Sequence, residues 1–554
     1  MSAQPLEVRS GVAAASAGLA SRWPSLAAGA AALGLIVALA FENGGYFPPS
    51  YLGAGAIAFA VLGLLLILRP PRYKISTRAH VGLAALAAFT AWTALSAGWS
   101  VAPADALAAA QRDLTYLGLF GLALVAAGSG RHAGLLVWGV LVTILVIGVA
   151  GLISRLYPDL ILAPAPLAIY RLSYPLSYWN AYGAICAMGA VLAVGLAGDA
   201  RTPVPLRGLS AAAAIVLAVA IYFSLSRGAW LAAVVAVVVL VIIAPHRGSL
   251  LVSVVLVGAA AALAIVRLRH FPALVKDPRA GAGQLREGHA FGPELLGLAG
   301  GGAVLGTLLA AARAPLLRAS ARLAPGRAVV AAAAVLAAGL ALGGLAAESR
   351  PIGAFVDRQW SDFLHPVTVG VVGPARLGDL KGTRSDVYRV ALDGFAENPV
   401  IGAGAGSFQS QWFRVRRVDQ QLVNAHSLEL ETLDELGVVG GMLLLVFIGS
   451  IAAAAIRARR TTGSLTAGQA SAATGALVVW LVHSAVDWDW QMSALTGVAV
   501  VLAASLYPFG RVRRRQVSRR GTAAGERGTV PLAAAASPSP AGAPRGAAGA
   551  GSAG

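Results

Sequence analysis

A histidine near the start of NAHSLELETLDELGVVGGMLLL (424–445) stands just ahead of a strongly apolar run. An imidazole there, His426, can serve as a general base at neutral pH, although a loop histidine is more commonly a solvated or capping side chain. A base of this kind predicts activity lost on acidification through roughly pH 6–7. Arginines supply the complementary chemistry. Arg384 and Arg389 lie in GTRSDVYRVALDGFAENPVIGAGAGSF (382–408), and Arg227 lies in SLSRGAWLAAVVAV (224–237). A guanidinium between apolar spans is costly unless it snorkels or is paired, and its planar fork suits phosphate oxygens. Arg112 and Asp113 fall inside an apolar stretch, as a buried structural pair would, whereas Asp487 and Asp489 in HSAVDWDW (483–490) could meet the acceptor or face water, and the second is expected. There is no HxxxH or HExxH pattern and no Cys/His cluster, and Cys186 is the sole cysteine, so metal ligation is disfavoured and no cofactor is expected.

These groups need elements to hold them. Arg384, Tyr388 and Leu392 recur at helical spacing, so a short amphipathic helix is predicted. It should end near Asn398, because the residue before Pro399 disfavours the helical conformation. Arg389 follows Arg384 by five residues and so falls off its helix face. Gly402, Gly404 and Gly406 then make a turn that packs closely on neighbouring helices; without a βαβ context it is no dinucleotide fingerprint.

The surrounding chain is a membrane protein by composition. Of 554 residues, 57% are hydrophobic and 12% charged, the mean hydropathy is +0.73 and the net charge +19. That excludes a soluble multidomain enzyme, a disordered chain and a disulfide scaffold. Fourteen apolar stretches are long enough to be spans, near 25–41, 51–68, 79–97, 106–128, 132–153, 178–197, 208–223, 228–244, 250–266, 294–312, 328–346, 437–456, 465–483 and 492–508. An all-α polytopic bundle of about 12–14 transmembrane helices is preferred over a barrel, since ten-residue alternation is missing. With the N-terminus inside, cytoplasmic segments hold 23 basic residues and the five short outer loops hold three, Arg155, Arg171 and Arg227. The expected organisation is a cytoplasmic N-terminus (1–24), about eleven spans (25–346), one long extracytoplasmic loop (347–436) carrying short helices, about three more spans (437–508), and a basic, then disordered, cytoplasmic tail (509–554). Two outer segments, 267–293 and 347–436, are basic against the topological bias, which points to an anionic ligand on that face, while the basic tail reads as a topology anchor and not as a nucleic-acid site.

The strings resemble the bacterial O-antigen ligase and O-antigen polymerase family of polytopic glycosyltransferases. The resemblance rests on Ser226–Gly228 at a span boundary, on Arg384 leading a helix that runs to the turn at Gly402 and Gly404, and on Ala425, His426 and Glu435–Gly437. Weaker matches are 99–120, 174–184 and 483–490, in the same order along the chain, and Ser427 departs from the usual Asn. The resemblance implies a glycan donor on polyprenyl diphosphate at the outer face of the bacterial cytoplasmic membrane, and an acceptor that is a glycan, lipid or protein. It implies His426 as base and Arg227, Arg384 and, secondarily, Arg389 as diphosphate ligands, with inverting, metal-independent transfer. A repeat-unit polymerase is the alternative within the family. A lipid-linked oligosaccharide transporter is the alternative outside it, though transporters usually show internal repeats with broken helices, and none is apparent here.

Overall fold

The computed structural model describes residues 23–68, 73–128, 130–161, 170–275, 281–320, 361, 365, 382–460, 465–507 and 510–511. Sixteen α-helices follow one another among them: α1 Trp23–Phe41, α2 Pro48–Leu68, α3 Thr77–Leu95, α4 Pro103–Ala127, α5 Gly130–Leu156, α6 Trp179–Gly198, α7 Val204–Ser224, α8 Arg227–Ile243, α9 Arg247–Arg267, α10 Pro272–Val275, α11 Ala282–Ser320, α12 Arg384–Glu397, α13 Phe408–Val415, α14 Leu428–Arg460, α15 Ala467–Ser484 and α16 Ser493–Leu506. Nine of these described helices (α1, α2, α3, α5, α6, α7, α9, α11 and α14) are long and apolar enough to cross a membrane. The shorter apolar α8 and α16 pack among them with α4 and α15. The chain is thus an all-α polytopic membrane bundle. Helices coincide with every expected span except 328–346, which lies outside the described residues, as do 1–22, most of 347–381 and 512–554.

Side chains such as Ile67, Val255 and Leu296 are largely exposed. Such a surface is costly in water and natural in lipid. The centre is α6, whose residues from Asn180 to Gly198 are all buried, with α7, α8 and α15 packed on it. A Cβ at Gly183 would lie 2.6 Å from Ser224 Oγ and 3.0 Å from Ser226 Cβ, so the absent side chain lets the α7–α8 corner close on α6. That corner is tight: Leu225 ends α7 with a φ of 49°, and Ser226 caps α8 by accepting from Ala229 N.

The arm formed by α12 and α13 is held by a small core in which Val387, Val390 and Ala391 pack with Phe408, Trp412 and Ala425. As the spacing predicts, α12 ends at Glu397 with Asn398 as its cap. The three glycines after it have φ of 73°, 93° and 76°, and they press against Glu435, Ser100 and Asp105 in turn. Helix α14 is broken at Gly437 (φ 63°, ψ −164°). The carbonyls freed there are taken by the arm: Ala403 N donates to Asp434 O (2.9 Å) and Gly404 N to Glu435 O (2.8 Å). Trp92 Nε1 takes Leu436 O at 3.1 Å.

Segment 267–293 differs from the expected loop. Helix α11 starts at Ala282, twelve residues before the predicted span, because its polar first turns have partners. Gln284 Nε2 donates to Arg155 O (2.9 Å), Glu287 Oε2 accepts from Leu274 N (3.2 Å), and Glu294 pairs with Arg267 (3.0 Å). A two-residue antiparallel ladder joins Tyr73–Lys74 to Gly510–Arg511.

Candidate active site

Several of these elements converge on one carboxylate. Asp487 lies in the turn between α15 and α16, with a side chain 1% exposed. Its Oδ1 accepts from Tyr178 Oη (2.8 Å) and Trp488 N (3.0 Å) and lies 3.1 Å from His426 Nδ1. Its Oδ2 accepts from Asn180 Nδ2 (2.6 Å) and from Arg384 Nη2 (2.9 Å). Burial alone would raise this carboxyl, but the Arg384 charge and the bond and charge of His426 overcome that and hold it well below the usual carboxylate range. Asp487 and Asp489, expected in water, are both buried. An acidic pair in a short turn looks solvated on paper, yet here the turn folds under the His426 loop and the start of α6.

Each partner has a local reason to be in place. Arg384 is the first residue of α12, so the arm core orients its side chain inward. It keeps 31% exposure and gives one nitrogen to Asp487, leaving other N–H groups of the fork for a ligand. His426 has a φ of 52°, rare outside glycine, and Tyr388 Oη donates to its carbonyl (3.3 Å). Ser427 then accepts from Leu430 N (3.3 Å), a helix cap that the more usual Asn would supply equally. With Nδ1–H directed at Asp487, the assigned tautomer leaves the Nε2 lone pair as the proton acceptor. Its ring stands edge-on to Trp488, itself stacked on Tyr178 at 4.3 Å.

Behind this shell sits Arg171, 3% exposed and stacked over Trp179 (4.6 Å). It donates to Asn180 Oδ1 (2.7 Å), Ser224 O (2.9 Å) and Leu225 O (3.2 Å). One guanidinium therefore fixes the Asn180 amide toward Asp487 and grips the corner that carries Arg227. Arg227 opens α8, partly exposed, one residue after Ser226. The Ser226 hydroxyl lies 3.5 Å from His483 Nε2, and His483 Nδ1 lies 2.7 Å from Asp489 Oδ2. The Ser–His–Asp order invites a nucleophile, but the three are 1%, 0% and 0% exposed, so it is a sealed brace. Gly228 leaves room for it, since a Cβ there would sit 3.2 Å from the His483 ring.

Among the predicted residues, His426 and Arg384 meet at Asp487, and Arg227 stands at the adjoining corner. Arg389 is engaged elsewhere, by Asp386 (2.7 Å), Asp393 (2.8 Å) and Val415 O (2.8 Å). Asp113 accepts from Trp490 Nε1 (2.8 Å), and Tyr116 Oη donates to Trp490 O, which fixes the turn beyond Asp487. Asn180, Tyr178 and Arg171 join the candidate site without having been singled out in the sequence, and Asp487 was noted there with water as its expected neighbour. Their signal was faint: YPLSYWNAYGA and HSAVDWDW as short strings, and Arg171 as one of three basic residues in the short outer loops. Among the described residues, no group of three or more His, Cys, Asp or Glu side chains is placed to hold a metal ion.

No curated protein matches the chain. A family model described as O-Antigen ligase matches residues 295–445, the stretch that contains α12, α13, Arg384, His426 and the Gly437 break. That segment is set in a polytopic helical bundle, and over it the chain is similar to the O-antigen ligase family.

Proposed function

We propose that this membrane protein is a glycosyltransferase that moves a glycan from a polyprenyl-diphosphate donor to an acceptor hydroxyl at the outer face of the cytoplasmic membrane, in cell-surface polysaccharide synthesis. The observation that carries this reading is the single Asp487 carboxylate that holds both His426 Nδ1 and Arg384 Nη2. Asp487 orients the imidazole and stabilises the imidazolium that forms on proton transfer. His426 Nε2 takes the acceptor proton as the acceptor oxygen bonds to the anomeric carbon, and the bond from that carbon to the diphosphate oxygen breaks. The polyprenyl diphosphate departs with the electron pair, and the anomeric configuration inverts. Arg384 and Arg227 meet the developing negative charge, so the guanidinium groups fill the role a divalent ion plays elsewhere.

Replacing His426 by Ala in cells tests this. Lipid-linked donor should accumulate outside while the surface product disappears. Donor retained inside the cell would favour transport instead, and unchanged product would remove His426 from the mechanism.

A further inference from the structure

Glu431 lies one turn into α14 and is 9% exposed. Its carboxylate does not point to solvent. It reaches back over the start of its own helix, where Oε2 accepts from Ala425 N (2.8 Å) and Oε1 accepts from Asn424 Nδ2 (3.3 Å). Oε1 also accepts from Gln491 Nε2. Gln491 is buried and closes the turn Asp489–Gln491 that follows Asp487. One side chain therefore ties together the two residues before His426 and the turn just after Asp487. His426 itself sits in the left-handed region, where a non-glycine residue persists only if its surroundings fix it. A carboxyl group on which three donors converge is a strong fixture of that kind.

We infer that Glu431 is the positioning residue of this site: its carboxylate grips Asn424 and Ala425 on one side and Gln491 on the other, and so sets the reach of His426 to Asp487. This rests on the assignment of His426 as the base. A neutral amide of the same shape offers one acceptor oxygen where three donors converge, so Glu431→Gln loosens the clamp without emptying the space. Misplacing a base by about 1 Å can cost on the order of 10²-fold in rate.

The experiment uses the full-length protein in detergent, with lipid-linked glycan extracted from cells lacking the gene as donor and an envelope extract of those cells as acceptor. Farnesyl diphosphate serves as a separate binding probe. Glu431→Gln is expected to lower turnover about 10–100-fold, to keep farnesyl diphosphate affinity within about twofold, and to add no further loss to His426→Ala. Gln491→Ala, which opens the other end of the clamp, should show the same dependence on His426, and it carries the test if Glu431→Gln folds poorly. A Glu431→Gln rate within about twofold of wild type, or a full additional loss in the His426→Ala background, overturns the inference while leaving the base in place. Wild-type turnover by His426→Ala itself overturns the base assignment, and the inference with it.

Discussion

Asp487 Oδ2 lies 2.9 Å from Arg384 Nη2, joining residues 103 positions apart at a point buried from solvent. The same carboxylate faces His426 at 3.1 Å through its other oxygen. A base and a cation sharing one buried anion are fixed relative to each other, which is what a reaction needing proton removal and charge stabilisation at neighbouring atoms requires.

Asp487→Asn should therefore damage both functions. Transfer is expected to fall about 10²–10⁴-fold, the range seen for loss of oriented acid–base catalysis. The substitution also has a pH signature in stability. A folded-state pKa held below the ordinary carboxylate value gives stabilisation that is present above about pH 4 and lost as pH falls through the folded value. The melting-temperature gap between wild type and Asp487→Asn should remain open down to about pH 5 and shrink only in stronger acid. A gap that closes near pH 6 would contradict the assignment.

Arg384 and Arg389 should separate cleanly. Arg384→Ala is expected to weaken farnesyl diphosphate binding and to cut turnover about 10²–10³-fold, as loss of one charge-stabilising donor does. Arg389→Ala should leave that binding unchanged. It removes the cation beside buried Asp386, whose other oxygen accepts from Arg417 N at 2.7 Å, so it should destabilise the arm by about 1–3 kcal/mol. Calorimetric binding and thermal unfolding of the two variants read this directly, and a binding defect in Arg389→Ala would return that residue to the ligand site.

The break in α14 makes a structural prediction. A Cβ at Gly437 would lie 2.3 Å from Val400 O at a φ of 63°. Gly437→Ala should cost about 1–3 kcal/mol or more and reduce the folded yield. Gly449→Ala is the control on the same helix: no neighbouring atom lies within 4 Å of its Cβ position, so stability should hold or rise by about 0.5–1 kcal/mol. Equal losses in both would mean that the docking of the arm at the break is unimportant.

Much of this was legible in the sequence. Apolar length placed the spans, since backbone satisfaction in lipid leaves a helix little choice. The α12 boundary followed from Pro399, and the five-residue offset of Arg389 already separated it from the Arg384 face. What was not legible is which outer turn folds beneath which. Asp487 reads as solvated because nothing local encloses it; its partners come from α6, α12 and the His426 loop. The early start of α11 was hidden for the same reason, because the partners of Gln284 and Glu287 lie on α5 and α10.

On the proposed mechanism, His426 removes the acceptor proton. The most direct measurement is the transfer rate of purified His426→Ala with lipid-linked glycan as donor, taken alongside its affinity for farnesyl diphosphate. The rate should fall about 10²–10⁴-fold with diphosphate affinity kept within about twofold. A wild-type rate, or a rate loss explained wholly by lost diphosphate binding, would contradict that mechanism.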